Sequence, residues 1–194
     1  MDQQLRQIWE SIWERLERSA DTPGGSWWLP VFSTVTAAGL PAARTVVLRR
    51  CERSSRHLYA YTDVRAPKVQ QLENQGAAVW TFYAAQEREQ LVVRTKTRVL
   101  RSGEEYEECW HRCRPESLWA YVHASPPGVR VATPPPLPGT GPVPPELRQL
   151  TRERFVVLAS EVEHLDWLSL RPEGNVRAQF EWRAGDWQGN WVTP

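Results

Sequence analysis

Residues 89 to 100 alternate, position by position, between side chains that seek a core and side chains that seek water. Leu91, Val93 and Val99 fall on one side of the run, and Gln90, Arg94, Lys96 and Arg98 on the other. Successive side chains of an extended chain point to opposite faces, so this pattern predicts a strand with one buried face. A strand of that kind needs paired neighbours and a covered face, which commits the rest of the chain to building a sheet. The preceding run, Ala77 to Tyr83, is bulky on both sides (Val79 and Tyr83 against Trp80 and Phe82) and reads as a strand covered on both faces.

The same β texture recurs at Trp27 to Thr36, Arg44 to Arg50, Leu58 to Thr62, Phe155 to Val162, Val176 to Trp182 and Trp187 to Val192. Ala37-Ala38-Gly39-Leu40-Pro41 reads as a hairpin connection and Gly185-Asp186 as a turn. Helical spacing appears at residues 3 to 18, where Leu5, Ile8, Trp9, Ile12, Trp13 and Leu16 form one stripe. That stripe suits either its own domain or a partner subunit. A short helix is expected over Pro67 to Asn74. Ser102-Gly103-Glu104-Glu105 has the form of a capping box opening a helix with Tyr106, Cys109, Trp110 and Cys113 on its apolar face. Pro115 suits the start of a second helix carrying Leu118, Trp119 and Val122. Between Pro126 and Pro145 nine of 20 residues are proline, which predicts a stiff, extended loop over the outside of the fold or along the rim of a cleft. Hairpins dominate and regular βαβ alternation is missing. The expected class is α+β, mainly β: one domain over residues 1–194, an antiparallel β-barrel with peripheral helices, a helix at 1–20 and a loop at 126–145.

Twenty-four basic residues against 23 acidic ones leave a net charge of +1, so no polyelectrolyte signal points to nucleic acid or an anionic membrane. No apolar run approaches the roughly 20 residues that span a bilayer, and the first residues lack a basic start and an apolar signal core; a soluble, cytoplasmic protein is expected. Three cysteines, an odd number, argue against a disulfide framework. Only two of the basic residues are lysines, Lys68 and Lys96, which makes each one informative.

Familiar catalytic signatures are missing. The glycines match neither G-x-G-x-x-G nor a P-loop, and no Ser, His and acid set stands out. Cys109-x-His111-x-Cys113 invites a zinc reading, but on a helix His111 lies about 200° around the axis from Cys109, so no metal is expected. What remains is Arg44-Thr45-Val46-Val47-Leu48-Arg49, then Tyr61-Thr62, then Lys68 near a helix start. An Arg fork, a hydroxyl, a Lys and helix N-terminal amides are the groups that hold a phosphate when no glycine loop is available. The same residues also read as a strand ending in solvated cations and an ordinary polar helix start.

Taken in order, Arg44-Thr-Val-Val-Leu-Arg49, Tyr61-Thr62, Lys68, Arg88-Glu89-Gln90 and the Trp167…Arg177 pair, ten residues apart, resemble the pyridoxamine 5′-phosphate oxidase-like FMN-binding split barrels. The likeness is greatest to the oxidase-related branch of that family and strongest over residues 27 to 125. It implies an FMN-binding split β-barrel. Arg44 and Lys68 would hold the FMN phosphate, Thr45, Val46, Val47 and Leu48 would line the isoalloxazine, and Tyr61 and Thr62 would contact flavin and phosphate tail. Gln90 would hydrogen-bond the flavin, and Trp167 and Arg177 would reach it from the other subunit of a homodimer. Ala66 and Pro67 replace the family's Ser-Arg before the lysine, with Arg65 as the nearby substitute. Arg49 and Arg114 fall at substrate-binding positions. Glu173, Gly174 and Asn175 replace the Arg-x-His that grips a vitamin B6 phosphate, and Trp110 replaces the substrate-phosphate tyrosine. The reading is therefore an FMN flavoprotein, an oxidoreductase acting on an unidentified small molecule, with no catalytic side chain assigned. Its alternatives are a pyridoxine or pyridoxamine 5′-phosphate oxidase with altered substrate contacts, or a non-catalytic flavin- or haem-binding module.

Overall fold

A computed structural model describes residues 1–136 and 139–194. Helix α1 (Gln3–Asp21) starts where the Asp2 carboxylate accepts from the Leu5 amide at 2.9 Å, and buries Leu5, Ile12, Trp13 and Leu16. Strands β1 (Val31–Val35) and β2 (Pro41–Thr45) form the expected hairpin, with Gly39 at φ +76 in its turn. Beyond Thr45 the expected strand does not continue. Val46 and Leu48 still donate to the carbonyls of Pro30 and Trp28, and then Arg49 donates to Tyr59. Residues 46–49 thus cross from one strand pair to the next, into β3 (Arg50–Glu52) and β4 (His57–Asp63). Helix α2 (Pro67–Gln75), β5 (Ala77–Ala84) and β6 (Glu89–Leu100) follow as expected.

Helix α3 (Glu104–Arg112) corrects the capping-box expectation. Its N-cap is Gly103 at φ +97, no side chain caps it, and Glu104, Glu105 and Glu107 favour its N-terminus by charge instead. The second helix is a single 3-10 stretch, Pro115–Tyr121. Helix α4 (Pro145–Arg154) was not expected; it begins on the last proline of the Pro-rich run, a residue suited to a first helical turn. Strand β7 (Phe155–Ser169) is nearly twice the predicted length, and β8 (Val176–Arg183) and β9 (Asp186–Val192) pair across Ala184-Gly185, both at positive φ, rather than across Gly185-Asp186.

All pairings are antiparallel, in the order β2-β1-β5-β6-β7-β4-β3, with β8 added beside β7 and β9 beside β8. The fold turns on β7. One edge pairs with β6 from Val157 to Ser169, while the other edge pairs with β4 up to Glu161 and with β8 from His164. Arg56 fills the fork: its guanidinium bonds Glu161 at 2.6 Å and the Val162 carbonyl at 2.9 Å, and its own carbonyl accepts from the Val162 amide. Register carries one row of side chains across the sheet, Phe32, Trp80, Val93, Leu165 and Phe180, and α1 covers this face with Trp13 and Leu16. A second cluster centred on Phe155 packs Tyr59, Tyr61 and Val157 against Tyr106, Cys109, Leu118 and Tyr121.

The opposite face of β1, β5, β6, β7 and β8 is left part-exposed. It presents Ser33, Val79, Thr81, Gln90, Val92, Asp166, Leu168 and Arg177 in register, and among the described residues no helix lies over it. The Pro-rich segment carries no regular element over 126–136 and 139–144; positions 137 and 138 of the predicted loop lie outside the described residues. Gly128 lies beside Pro67 at the start of α2, while Gly139 packs against the Trp119 indole, whose Nε1 donates to the Gly141 carbonyl at 2.8 Å. No helix among the described residues is long and apolar enough to cross a membrane.

Candidate functional site

The crossing at residues 46–49 brings the end of β2, the end of β4 and the start of α2 to one place. Arg44, on the core side of the edge strand β2, sends Nη1 to the Thr34 hydroxyl at 2.6 Å and Nη2 to Gln71 Oε1 on α2 at 3.3 Å. Thr34 in turn donates to the same Gln71 oxygen at 2.5 Å, and Arg44 also reaches the Phe32 carbonyl at 3.3 Å. From the other side, Lys68 Nζ donates to the Thr62 hydroxyl at 2.9 Å.

Burial lowers the Lys68 ammonium from its ordinary value, the nearby Arg44 charge lowers it further, and Asp63 partly offsets both. Burial likewise lowers Arg44. Two half-buried cations that repel each other are costly unless an anion joins them. Among the described residues no carboxylate lies within ion-pair distance of either one. Asp63 is the acid whose charge acts on Lys68, but strand alternation turns it away from Thr62 and it pairs with Arg65 at 2.7 Å. The α2 N-terminus, open at Ala66 with no side-chain cap, adds its dipole on the same side. An oxyanion with two negative charges fits this donor set.

The remaining predicted residues distribute unevenly. Thr62, Arg44 and Lys68 are brought together. Val46 and Val47 lie part-exposed on the crossing segment, Thr45 is exposed at its start, and Leu48 is fully buried, so only its backbone is available. Tyr61 lies on the far side of β4, packed on Phe155 at 4.9 Å between ring centres, with the Arg49 guanidinium 5.8 Å from its ring. Arg65 does not join the cradle. Its guanidinium is spent on Asp63 and on the carbonyls of His123 and Ala124, tying down the start of the Pro-rich segment. Arg114 is exposed between α3 and the 3-10 stretch.

Gln90 and Arg177 share the open sheet face, both paired with Leu168. Trp167 does not share it. Register pairs Trp167 with Ala178, one step from Leu168 and Arg177, so its indole points to the α1 side, 5% exposed, in a cleft of about 480 Å³ with Ile8, Ile12 and Trp27. Arg177 forms a two-pronged pair with Asp166 at 2.8 and 2.6 Å, and Gln179 donates to the same carboxylate at 2.9 Å. Burial works to raise the Asp166 carboxyl, but the Arg177 and Gln179 bonds outweigh it and hold it below the usual carboxylate range.

Sequence reasoning missed Thr34, Gln71, Asp166 and Gln179. Gln71 had a visible signal, since it stands three residues after Lys68 on the same helix face. Thr34 and Gln179 emerge only from register. Nucleophilic chemistry finds no support: burial raises all three thiols, and no cluster of three metal-binding side chains occurs among the described residues.

A forked antiparallel sheet with helices outside is the split-barrel class of fold. Residues 8–101 match the family described as "Pyridoxamine 5'-phosphate oxidase, FMN-binding domain". The fold is shared along nearly the whole chain with a pyridoxamine 5'-phosphate oxidase-related, FMN binding protein from Nostoc punctiforme (21% identity, 96% of this chain and 97% of that one, TM-score 0.73). It is also similar to PhzG from Burkholderia lata, solved with tetrahydrophenazine-1-carboxylic acid (15% identity, 96% and 91%, TM-score 0.68). A third similar structure is a protein related to general stress protein 26 from Clostridium acetobutylicum (13% identity, 91% and 95%, TM-score 0.56). No curated protein matches in sequence.

Proposed function

We propose that this protein binds FMN non-covalently, as a homodimer, and uses it to transfer electrons or hydride to or from a small molecule. The observation that carries the reading is the facing pair Arg44 and Lys68, half-buried and without a carboxylate, at the start of α2. In this reading Arg44, Thr62 and Lys68 hold the phosphate, Val46, Val47 and the backbone through Leu48 lie along the ring, and Tyr61 backs the cradle. Gln90 and Arg177, part-exposed on the open sheet face, reach a flavin held by the partner subunit or present that face to it. Trp167, turned under α1, serves that face by packing, and Arg65 acts on the cradle only by fixing residues 123–124. Bound FMN supplies the redox chemistry itself; the chain supplies neutralisation, orientation and exclusion of water.

A vitamin B6 phosphate is disfavoured as substrate. The β7–β8 loop offers Glu173 and Asn175 where that substrate's phosphate needs cations, and Trp110 packs edge-on against Phe155, 5.1 Å between centres, inside the second cluster. Arg49 and Arg114 remain as anchors for a different anionic or acceptor group.

The Lys68 environment sets a pH dependence. In the free protein its pKa lies below the ordinary value, and a bound phosphate raises it again. Binding therefore takes up a proton when the pH exceeds the free-protein value, and FMN affinity falls as the pH rises through it. Flavin-fluorescence titrations carried from neutral pH up to the ordinary lysine value, about 10.4, should show that decline, with a limiting slope of about tenfold per pH unit. In Lys68→Met the decline should vanish. An FMN affinity that rises with pH in this range contradicts the assignment.

A further inference from the structure

Gln71 occupies a place that the phosphate reading leaves unexplained. Its Oε1 lies 3.3 Å from Arg44 Nη2 and 2.5 Å from the Thr34 hydroxyl. A guanidinium only donates, so the Gln71 atom facing it has to be the carbonyl oxygen, and the amide orientation is determined by chemistry. The Thr34 hydroxyl accepts from Arg44 Nη1 at 2.6 Å and passes its own proton to Gln71, which closes a three-cornered ring. The other end of the amide, Nε2, has no hydrogen-bond partner among the described residues and is not among the buried, unsatisfied polar atoms. Gln71 also follows Lys68 by three residues on α2, so the two side chains stand side by side on one helix face. A spare amide donor, fixed in direction by Arg44 and Thr34, therefore stands on the α2 face that carries Lys68.

We propose that Gln71 is a further ligand of the bound phosphate, donating Nε2 to the anion while its Oε1 holds the Arg44 fork in place. The inference rests on the FMN reading above and adds a neutral donor to two cations and a hydroxyl. A neutral donor supplies direction where the cations supply charge, which favours a tetrahedral phosphate ester over a small spherical anion.

The test is a set of FMN and riboflavin affinities measured by fluorescence quenching on the full chain. Gln71→Met, close in shape but unable to donate, should weaken FMN by roughly 10- to 150-fold, the range for a hydrogen bond to a charged group, and change riboflavin less than about twofold. Gln71→Glu should weaken FMN more than Gln71→Met, because its carboxylate takes Arg44 and repels the phosphate. Thr34→Val removes the third corner of the ring but keeps the amide donor, and should cost FMN less than about threefold. Retained riboflavin affinity reports that each variant is folded. Full FMN affinity in Gln71→Met, with Lys68→Ala strongly weakened, overturns the role of Gln71 and leaves the FMN reading standing. Equal losses in Thr34→Val and Gln71→Met overturn the direct bond to phosphate, reducing Gln71 to a positioner of Arg44. A wild-type protein that binds FMN no tighter than riboflavin overturns the FMN reading and this inference with it.

Discussion

Alanine at Lys68 or at Arg44 is expected to weaken FMN binding by about 30- to 1000-fold while leaving riboflavin affinity nearly unchanged. Removing one charged partner from a desolvated contact strands the other, at a cost of about 2–4 kcal/mol. Riboflavin lacks the phosphate and does not feel the loss. The two substitutions differ in what they leave behind. Without Lys68, the Thr62 hydroxyl loses its 2.9 Å partner at the end of β4 and little else moves. Without Arg44, Thr34 and Gln71 lose their common donor, so this variant should also be the less stable of the two. Calorimetric titration with the two flavins checks both, and full FMN affinity in Lys68→Ala would return that lysine to the solvated surface.

A charge in the middle of the open sheet face should have a still larger effect. Val92 pairs with Thr81 on one side and Asp166 on the other, part-exposed at the centre of the row that runs from Ser33 to Arg177. If two copies bury this face against each other, Val92→Glu places an uncompensated carboxylate in the interface twice, once from each copy. Each such charge costs several kcal/mol of desolvation, enough to separate the dimer at micromolar concentration. The variant should run as a monomer by light scattering, keep its far-ultraviolet circular dichroism and lose FMN. Its fold should survive, because in a single chain this position already meets water. A Val92→Glu protein that remains dimeric with stoichiometric FMN would place the interface elsewhere.

Elements whose pattern is local were legible in the sequence. The stripe on α1 and the alternation on β6 carry through to the structure, with Thr95 and Thr97 filling the buried side that the apolar residues begin. Arg44, Thr62 and Lys68 were legible as a candidate set, because each sits at the end of an element and their residue types suit one ligand. What failed is non-local. Strand β7 has no alternation to read over Phe155–Ser160, all buried, because β4, β6 and two clusters cover it. The fork after Glu161 is therefore invisible in its residues. Trp167 and Arg177 keep a spacing that suggests one shared role, yet the hairpin register pairs Leu168 with Arg177 and sends the two side chains to opposite faces. The 44–50 run has strand composition throughout, but its hydrogen bonds change partner at Arg49. The start of α4 is hidden because Pro144 and Pro145 read as more of the loop when they serve as its cap and first turn.

The most direct measurement is the visible absorption spectrum of the purified protein, joined to identification of any flavin released on denaturation. The account predicts the paired bands of an oxidised flavin and release of FMN, about one per chain, with riboflavin far weaker in competition because Arg44, Thr62 and Lys68 grip the phosphate. A protein that binds no flavin when FMN is supplied, or binds riboflavin as tightly as FMN, contradicts it.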